Sequence, residues 1–259
     1  MRDLAGRINV SAGTISAVEA GQTRMTIDRL AVIADAFGMS VSELLRNDDA
    51  KRMSMPPANT HWRVFAQLDV DRVLSAAIVS FVETGYHGAT MRDIAQRAGM
   101  STPGVYHHYN SKQELLVRIL DLAMDDLEWR LESARSANDH PLERLSALVE
   151  ALALFHTLRP ELAIIGASEM RSLSEPEHRR IADRRSGVQR LIDAEIESAV
   201  HSGSASVSMP HEVGYAITTM CTALPQWFDP HGQTSAYELA IEYGRLACRM
   251  IGARESAPV

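Results

Sequence analysis

From Leu115 onward, apolar residues recur at spacings of three and four almost to the end of the chain. Leu115, Ile119, Leu122, Ala123 and Leu127 predict one long helix. Leu142, Leu145, Leu148, Val149, Leu152 and Phe155 predict the next, opened by Pro141. Pro160 opens another through Ile164, Ile165 and Ala167. Ile181, Val188, Leu191, Ile192, Ile196 and Val200 mark a further helix that ends near Gly203. Val213, Ile217, Met220 and Leu224 predict a penultimate helix, and Leu239, Tyr243, Leu246, Met250 and Ile251 the last. This period puts the apolar side chains on one face of each helix, and a proline costs nothing in a first turn whose N–H groups lack helical partners. No alternating strand pattern competes, so the expected fold class is all-α.

Upstream the helical pattern is shorter and more punctuated. Thr90 is placed to cap a helix that turns Ile94, Ala95 and Ala98 to one side, and Gly99 permits a sharp turn after it. Ser101 caps a second short helix with Pro103 in its first turn. Ser111 and Glu114 have capping-box spacing and open a third. Two short helices joined by a glycine-containing turn are how a protein lays the second of them in the DNA major groove.

Residues Thr90 to Leu116 resemble the DNA-binding domain of the TetR family of repressors. Gly85, Thr90, Ile94, Ala95, Gly99, Val105, Tyr106, Tyr109, Lys112 and Leu115 stand in register without a gap. The resemblance implies that Thr102, Pro103 and His107 face base edges and that Thr90, Tyr106 and Lys112 hold phosphates, with Arg92 also on the DNA side. A helix N-terminus and a lysine favour anions, and the exposed face of a short helix reaches bases. Core packing is the competing role for both tyrosines. It suits Tyr109, where the helix docks on its neighbours, and Tyr106 is assigned to phosphate with its ring partly packed.

A second pattern runs from Leu4 to Leu45 and resembles the lambda-repressor/Cro-type (XRE) helix-turn-helix. Its residues are Leu4-Ala5, Val10-Ser11, Thr14-Ile15-Ser16, Glu19-Ala20-Gly21, Leu30, Ala34, Phe37-Gly38 and Leu44-Leu45. Ser11 caps the recognition helix and Gly21 ends it. The sequence begins inside what should be the second helix, so the expectation is a misplaced start or a truncated domain. At the reading positions stand Ala12, Gly13 and Ala17, which cannot make the bidentate hydrogen bonds that discriminate bases. Thr14, Ser16, Gln22 and Arg24 remain as phosphate contacts. Protein-partner binding is the alternative role for residues 1 to 46. Residues 47 to 63, NDDAKRMSMPPANTHWR, are polar with a Pro56-Pro57 pair and no helical period. They read as a linker, in which Arg52 and Arg63 are solvated or brush a phosphate. The expected DNA-binding domain then covers 64 to 120, and a ligand-binding and dimerisation domain 121 to 259.

Within that last region, Glu169-Met170-Arg171-Ser172-Leu173, Arg179-Arg180-Ile181, Arg184, Gly203, and Trp227 with Pro230 and Gly232 resemble one TetR subgroup. Its members repress lipid or steroid catabolism genes and release DNA on binding CoA thioesters. The resemblance implies a small-molecule effector, an acyl-CoA. Arg171, Arg179, Arg180, Arg184 and Arg185 concentrate cations that suit CoA phosphates at a pocket mouth. Salt bridges with Glu169, Glu175, Glu177 and Asp183 on solvated faces are the competing use. Phe155, His156, Ile165, Met170, Val188 and Trp227 are the candidate tunnel lining, though a histidine on an apolar helix face beside Phe155 is more often a core residue than a ligand contact.

Composition adds limits. The chain of 259 residues is 46% hydrophobic and 5% aromatic, which suits two or three helical domains. No run of about 18 apolar residues and no secretory segment occurs, so the expectation is a cytoplasmic protein without a membrane span. Cys221 and Cys248 read as buried thiols far from any metal spacing, and neither metal nor cofactor is expected. A net charge of −7 gives no broad basic patch, so the DNA-binding expectation rests on the motifs. No GxSxG, P-loop, HExxH or CxxC motif occurs; a Glu169–His156 acid–base pair acting on a thioester is a remote alternative lacking a nucleophile. The reading is a ligand-responsive regulator, a repressor, that forms a homodimer through its last two helices and binds a double-stranded DNA operator.

Overall fold

The chain divides into two units, Met1–Met53 and Ser54–Val259. The computed structural model describes residues 61–253, all within the second unit. The expectations for the first helix-turn-helix, including Thr14, Ser16, Gln22 and Arg24, lie outside the described residues.

The helices are α1 (Arg72–Gly88), α2 (Met91–Arg97), α3 (Thr102–His108), α4 (Lys112–Ser136), α5 (Pro141–Leu158), α6 (Pro160–Ser168), α7 (Glu175–His201), α8 (Pro210–Thr222) and α9 (Ala236–Met250). Short 3-10 turns cover Met170–Ser172 and Leu224–Gln226. Among the described residues all regular structure is helical, and no helix is long and apolar enough to cross a membrane.

The punctuation acts as its chemistry requires. Thr90, Ser101 and Ser111 each accept a backbone N–H three residues on. Pro141 and Pro160 open α5 and α6, and Gly99 turns at φ +67° between α2 and α3. Two local expectations need correction. Glu114 does not close a box on Ser111: its Oε2 accepts from the Asn110 N–H at 2.7 Å, one residue earlier. Leu224 falls beyond α8, in the following 3-10 turn.

α5 is the central helix, packed against α4, α6, α7, α8 and α9. Its residues from Ala147 to Thr157 are buried without a break, which is what a helix surrounded by other helices requires. α4 runs through the expected boundary at 120/121, so the two expected domains share one helix.

The linker expectation fails at its end. Trp62 is buried at 3% exposure, and Arg63 stacks on it while forking to Glu150 at 2.5 and 2.7 Å. Arg130 donates to the Trp62 carbonyl at 2.5 Å, and Arg159 to that of Ala66 at 2.5 Å. Buried Asp126 balances Arg130 at 3.0 Å. Arg63 is therefore a packing cation with a carboxylate partner, and the strand of chain before α1 is strapped to α4 and α5.

Candidate functional site

The expected DNA-reading head is α1 to α3 with the start of α4. Ile94, Ala95 and Val105 are buried and fix α3 against α2. This leaves Pro103, Tyr106, His107 and His108 exposed on α3, with Thr102 half-buried at its start. Tyr106 is 48% exposed and Arg92 is exposed on α2; neither has a polar partner among the described residues.

Two of the expected phosphate contacts already have other work. The Thr90 hydroxyl donates to Asp93 Oδ2 at 2.6 Å and accepts the Asp93 N–H at 3.2 Å. A phosphate there must compete with that carboxylate. Lys112 Nζ donates to the Tyr86 carbonyl at 2.5 Å and the Ala89 carbonyl at 2.7 Å, and lies 4.4 Å from the centre of the Tyr86 ring. Of its three N–H groups one remains for a phosphate. Tyr109 is half-buried, and its hydroxyl donates to Asp71 Oδ2 at 2.5 Å, tying the end of α3 to the cap of α1. Burial and that carboxylate push its pKa up.

Below the head lies a cavity of about 280 Å³ among α4, α5, α6, α7 and α8. Its wall is largely apolar: Leu120, Ala123, Met124, Leu127, Leu152, Phe155, Leu162, Met170, Ile181 and Val188. The polar groups are His156, Arg185, Ser186, Gln189, Tyr215, Thr218 and Thr222. His156 Nδ1 lies 2.8 Å from the Leu152 carbonyl, and burial pushes its pKa down to about 4, so the ring is neutral. Arg185 is exposed as a residue but lines the cavity, which puts it at the rim. Its Nη1 donates to the Gly166 carbonyl at 2.9 Å, no carboxylate pairs with it among the described residues, and desolvation lowers its pKa.

Of the expected ligand residues, the cavity brings together Phe155, His156, Met170, Arg185 and Val188. Four are elsewhere. Ile165 is fully buried in the core without lining the cavity. Arg171 is exposed on the 3-10 turn, and Trp227 is 56% exposed beyond α8. Arg184 points away because neighbours on a helix diverge by about 100°. It reaches Asp121, Asp125 and Glu128 on α4 at 3.1, 2.6 and 2.7 Å, and Arg180 joins it on Asp121. Burial works against the Arg184 charge, but its hydrogen bonds to Glu128 and Asp125 outweigh that and raise the pKa. These two arginines hold α7 to α4.

The family described as "Bacterial regulatory proteins, tetR family" matches residues 73–119, and "Tetracyclin repressor-like, C-terminal domain" matches 138–251. Together they span more than half of the chain. The chain belongs to the TetR family. It is a DNA-binding transcriptional regulator. A further family, "Helix-turn-helix", matches residues 1–44 of this TetR-family chain, in agreement with the Cro-type resemblance. Similar proteins include the HTH-type transcriptional repressor KstR2 of Mycolicibacterium smegmatis, 27% identical over 67% of this chain and 85% of that one. A TetR-family crystal structure from Rhodococcus RHA1 is 29% identical, with a TM-score of 0.67 over 71% of this chain and 97% of that one. AibR in complex with isovaleryl coenzyme A and operator DNA shares the fold at 23% identity, with a TM-score of 0.63 over 70% of this chain and 97% of its own.

The regulator's cavity also uses residues that sequence reasoning missed: Gln189 on α7, and Tyr215, Thr218 and Thr222 on α8. Gln189 had a readable signal, standing four residues after Arg185 on the same helical face. The α8 residues had none, because only the packing of α8 on α7 turns them to the cavity.

Proposed function

We propose that this protein is a homodimeric repressor that leaves its operator when a small effector, with an apolar body and an anionic part, fills the cavity. The observation that carries this reading is Arg185: a cation at the rim of an apolar cavity with no carboxylate partner among the described residues. A cavity of about 280 Å³ suits an acyl chain or a few fused rings but not a whole CoA thioester, whose nucleotide must stay outside. The AibR complex with isovaleryl coenzyme A supports an acyl-CoA as the effector. On the DNA side, Thr102, Pro103 and His107 meet base edges, while Arg92, Tyr106 and the remaining N–H of Lys112 meet phosphates. The protein then acts in the cytoplasm. Residues 1 to 46 add a second contact, to DNA or to a protein partner.

The dimer forms through exposed apolar residues of α8 and α9. Tyr215, Tyr237, Ile241 and Met250 are 55, 44, 43 and 39% exposed and supply the apolar surface for it.

The test is operator release against matched pairs of acyl-CoA and free acid. The CoA ester should release the operator, and the free acid should be much weaker. Arg185→Gln should raise the effective CoA-ester concentration about 10-fold or more, the scale of one lost charge-assisted contact. Equal potency of ester and acid would remove the role of the phosphates. No response to any CoA ester would remove the ligand class.

A further inference from the structure

The connection between α6 and α7 has two working sides. Gly166, Ala167 and Met170 line the cavity. Glu169, in the same turn, faces away from it and is buried at 6% exposure. Its Oε1 accepts the Tyr86 N–H at 3.2 Å, in the reading head, and its Oε2 accepts the Ser172 hydroxyl at 3.0 Å. No cation pairs with this carboxylate among the described residues; N–H and O–H groups alone hold it. A buried charge without a counter-ion is costly, and an apolar side chain would serve packing at least as well.

The group that Glu169 holds is a break in α1. Gly85 has φ +71° and ψ 166° inside the helix, so Tyr86, His87 and Gly88 form a separate piece after the kink. A Cβ at Gly85 would stand 3.4 Å from Glu169 Oε1. Tyr86 is also held by Lys112, which donates to its carbonyl. The Gln113 amide, oriented to satisfy its neighbours, donates to Tyr86 Oη at 3.2 Å and to the Ser172 carbonyl at 3.1 Å, and accepts the Ser174 N–H at 3.2 Å. Tyr86 therefore joins the end of α1, the start of α4 and the cavity wall. Coupling requires an element with two arrangements, and a glycine kink held by one carboxylate is where this fold offers one.

We propose that Glu169 is the positioning residue through which cavity occupancy reaches the reading head. An anionic ligand draws the Arg185 guanidinium from the Gly166 carbonyl, α6 and its following turn shift, and Glu169 releases the Tyr86 N–H at the Gly85 kink. The inference rests on the effector reading for the nature of the ligand and not for the device.

The test uses the full chain, a labelled operator selected from random DNA, and two probes: decanoyl-CoA and the apolar sulfonate 1-anilinonaphthalene-8-sulfonate. Operator affinity is measured with and without saturating probe, and the ratio is the coupling factor. By thermodynamic reciprocity the operator must change probe affinity by the same factor. Coupling of about 5-fold or more is expected in the unmodified protein. Glu169→Ala should bring it below about 2-fold while the protein still binds each ligand alone. Glu169→Gln, which keeps an acceptor for the Tyr86 N–H, should retain most of it. Should Glu169→Ala lose its helical circular dichroism, Glu169→Met, of similar length and without the acceptor, carries the same test. In the unmodified protein, either probe that couples should speed hydrogen exchange at the Tyr86 amide. A residue that only supports the fold would shift both affinities and leave their ratio unchanged, and that outcome overturns the proposal. So does unchanged Tyr86 exchange, or a factor of one in the unmodified protein with both probes. Coupling by the sulfonate but not by decanoyl-CoA would sink the CoA reading and leave Glu169 in its role.

Discussion

Burial holds the His156 imidazole neutral, with its pKa at about 4 against 6.5 for the unperturbed ring. The sign of the consequence follows. An unfolded chain takes up the proton on falling below pH 6.5, and the folded chain does not until about pH 4. Stability is therefore complete above the unfolded value and is lost as pH falls toward the folded one. At pH 5 the loss from this residue is about 2 kcal/mol. His156→Gln should flatten urea midpoints measured between pH 7 and 5; an equally steep decline in the variant would assign the acid sensitivity elsewhere. At this scale the sequence was only half legible. Five arginines stood out as candidates for phosphate, and the two readings of them could not be separated one by one. Arg184 and Arg185 are chain neighbours, yet one is spent on three carboxylates of α4 and the other lines the cavity. Which of two adjacent helical positions meets an acidic stripe depends on the rotation of α7 against α4.

Elements were far more legible, because their signals are local. Prolines at 141 and 160, capping hydroxyls at 90, 101 and 111, and the three-four apolar period act over a few residues, and the helices start where those residues stand. Less legible was the depth of contact between elements. At Gly244, in the middle of α9, an added Cβ would lie 2.6 Å from Ser146 Oγ and 2.8 Å from the Ser146 carbonyl of α5. The two helices pack at a distance that only hydrogen permits. Gly244→Ala gains about 1 kcal/mol of helix propensity, but the clash with backbone should outweigh it, for a net loss of about 1–3 kcal/mol. Thermal melting should show the midpoint lowered by several degrees. A raised midpoint would mean that α9 can step away from α5 freely.

For the whole molecule, only part of the apolar period of the last two helices is available to the proposed dimer face. Ile217 and Leu224 are fully buried within the subunit and cannot meet a partner across a two-fold axis. The large apolar side chains of α8 and α9 left outside are Tyr215, Tyr237, Ile241 and Met250. Ile241→Asp should leave the helical signal intact and turn the dimer into a monomer at micromolar concentration, read by light scattering. Ile217→Asp should instead unfold the ligand domain, since it places an unpaired charge in the core. A dimeric Ile241→Asp protein would move the interface elsewhere.

The sequence by itself determined the helical class, the starts of α2 to α6, the helix-turn-helix and the family, because each depends on residues a few positions apart or on a motif read in one line. It also singled out Phe155, His156, Met170, Arg185 and Val188, though among others that do not line the cavity. Only the tertiary structure decided which cation faces the cavity, which apolar residues stay outside the subunit, and that Trp62 and Arg63 pack on the fold. It also joined Glu169 to Tyr86, 83 residues apart in the chain. An amphipathic period fixes which face of a helix is apolar, but not what that face meets. That depends on the rotation and spacing of helices packed together, which no local window contains.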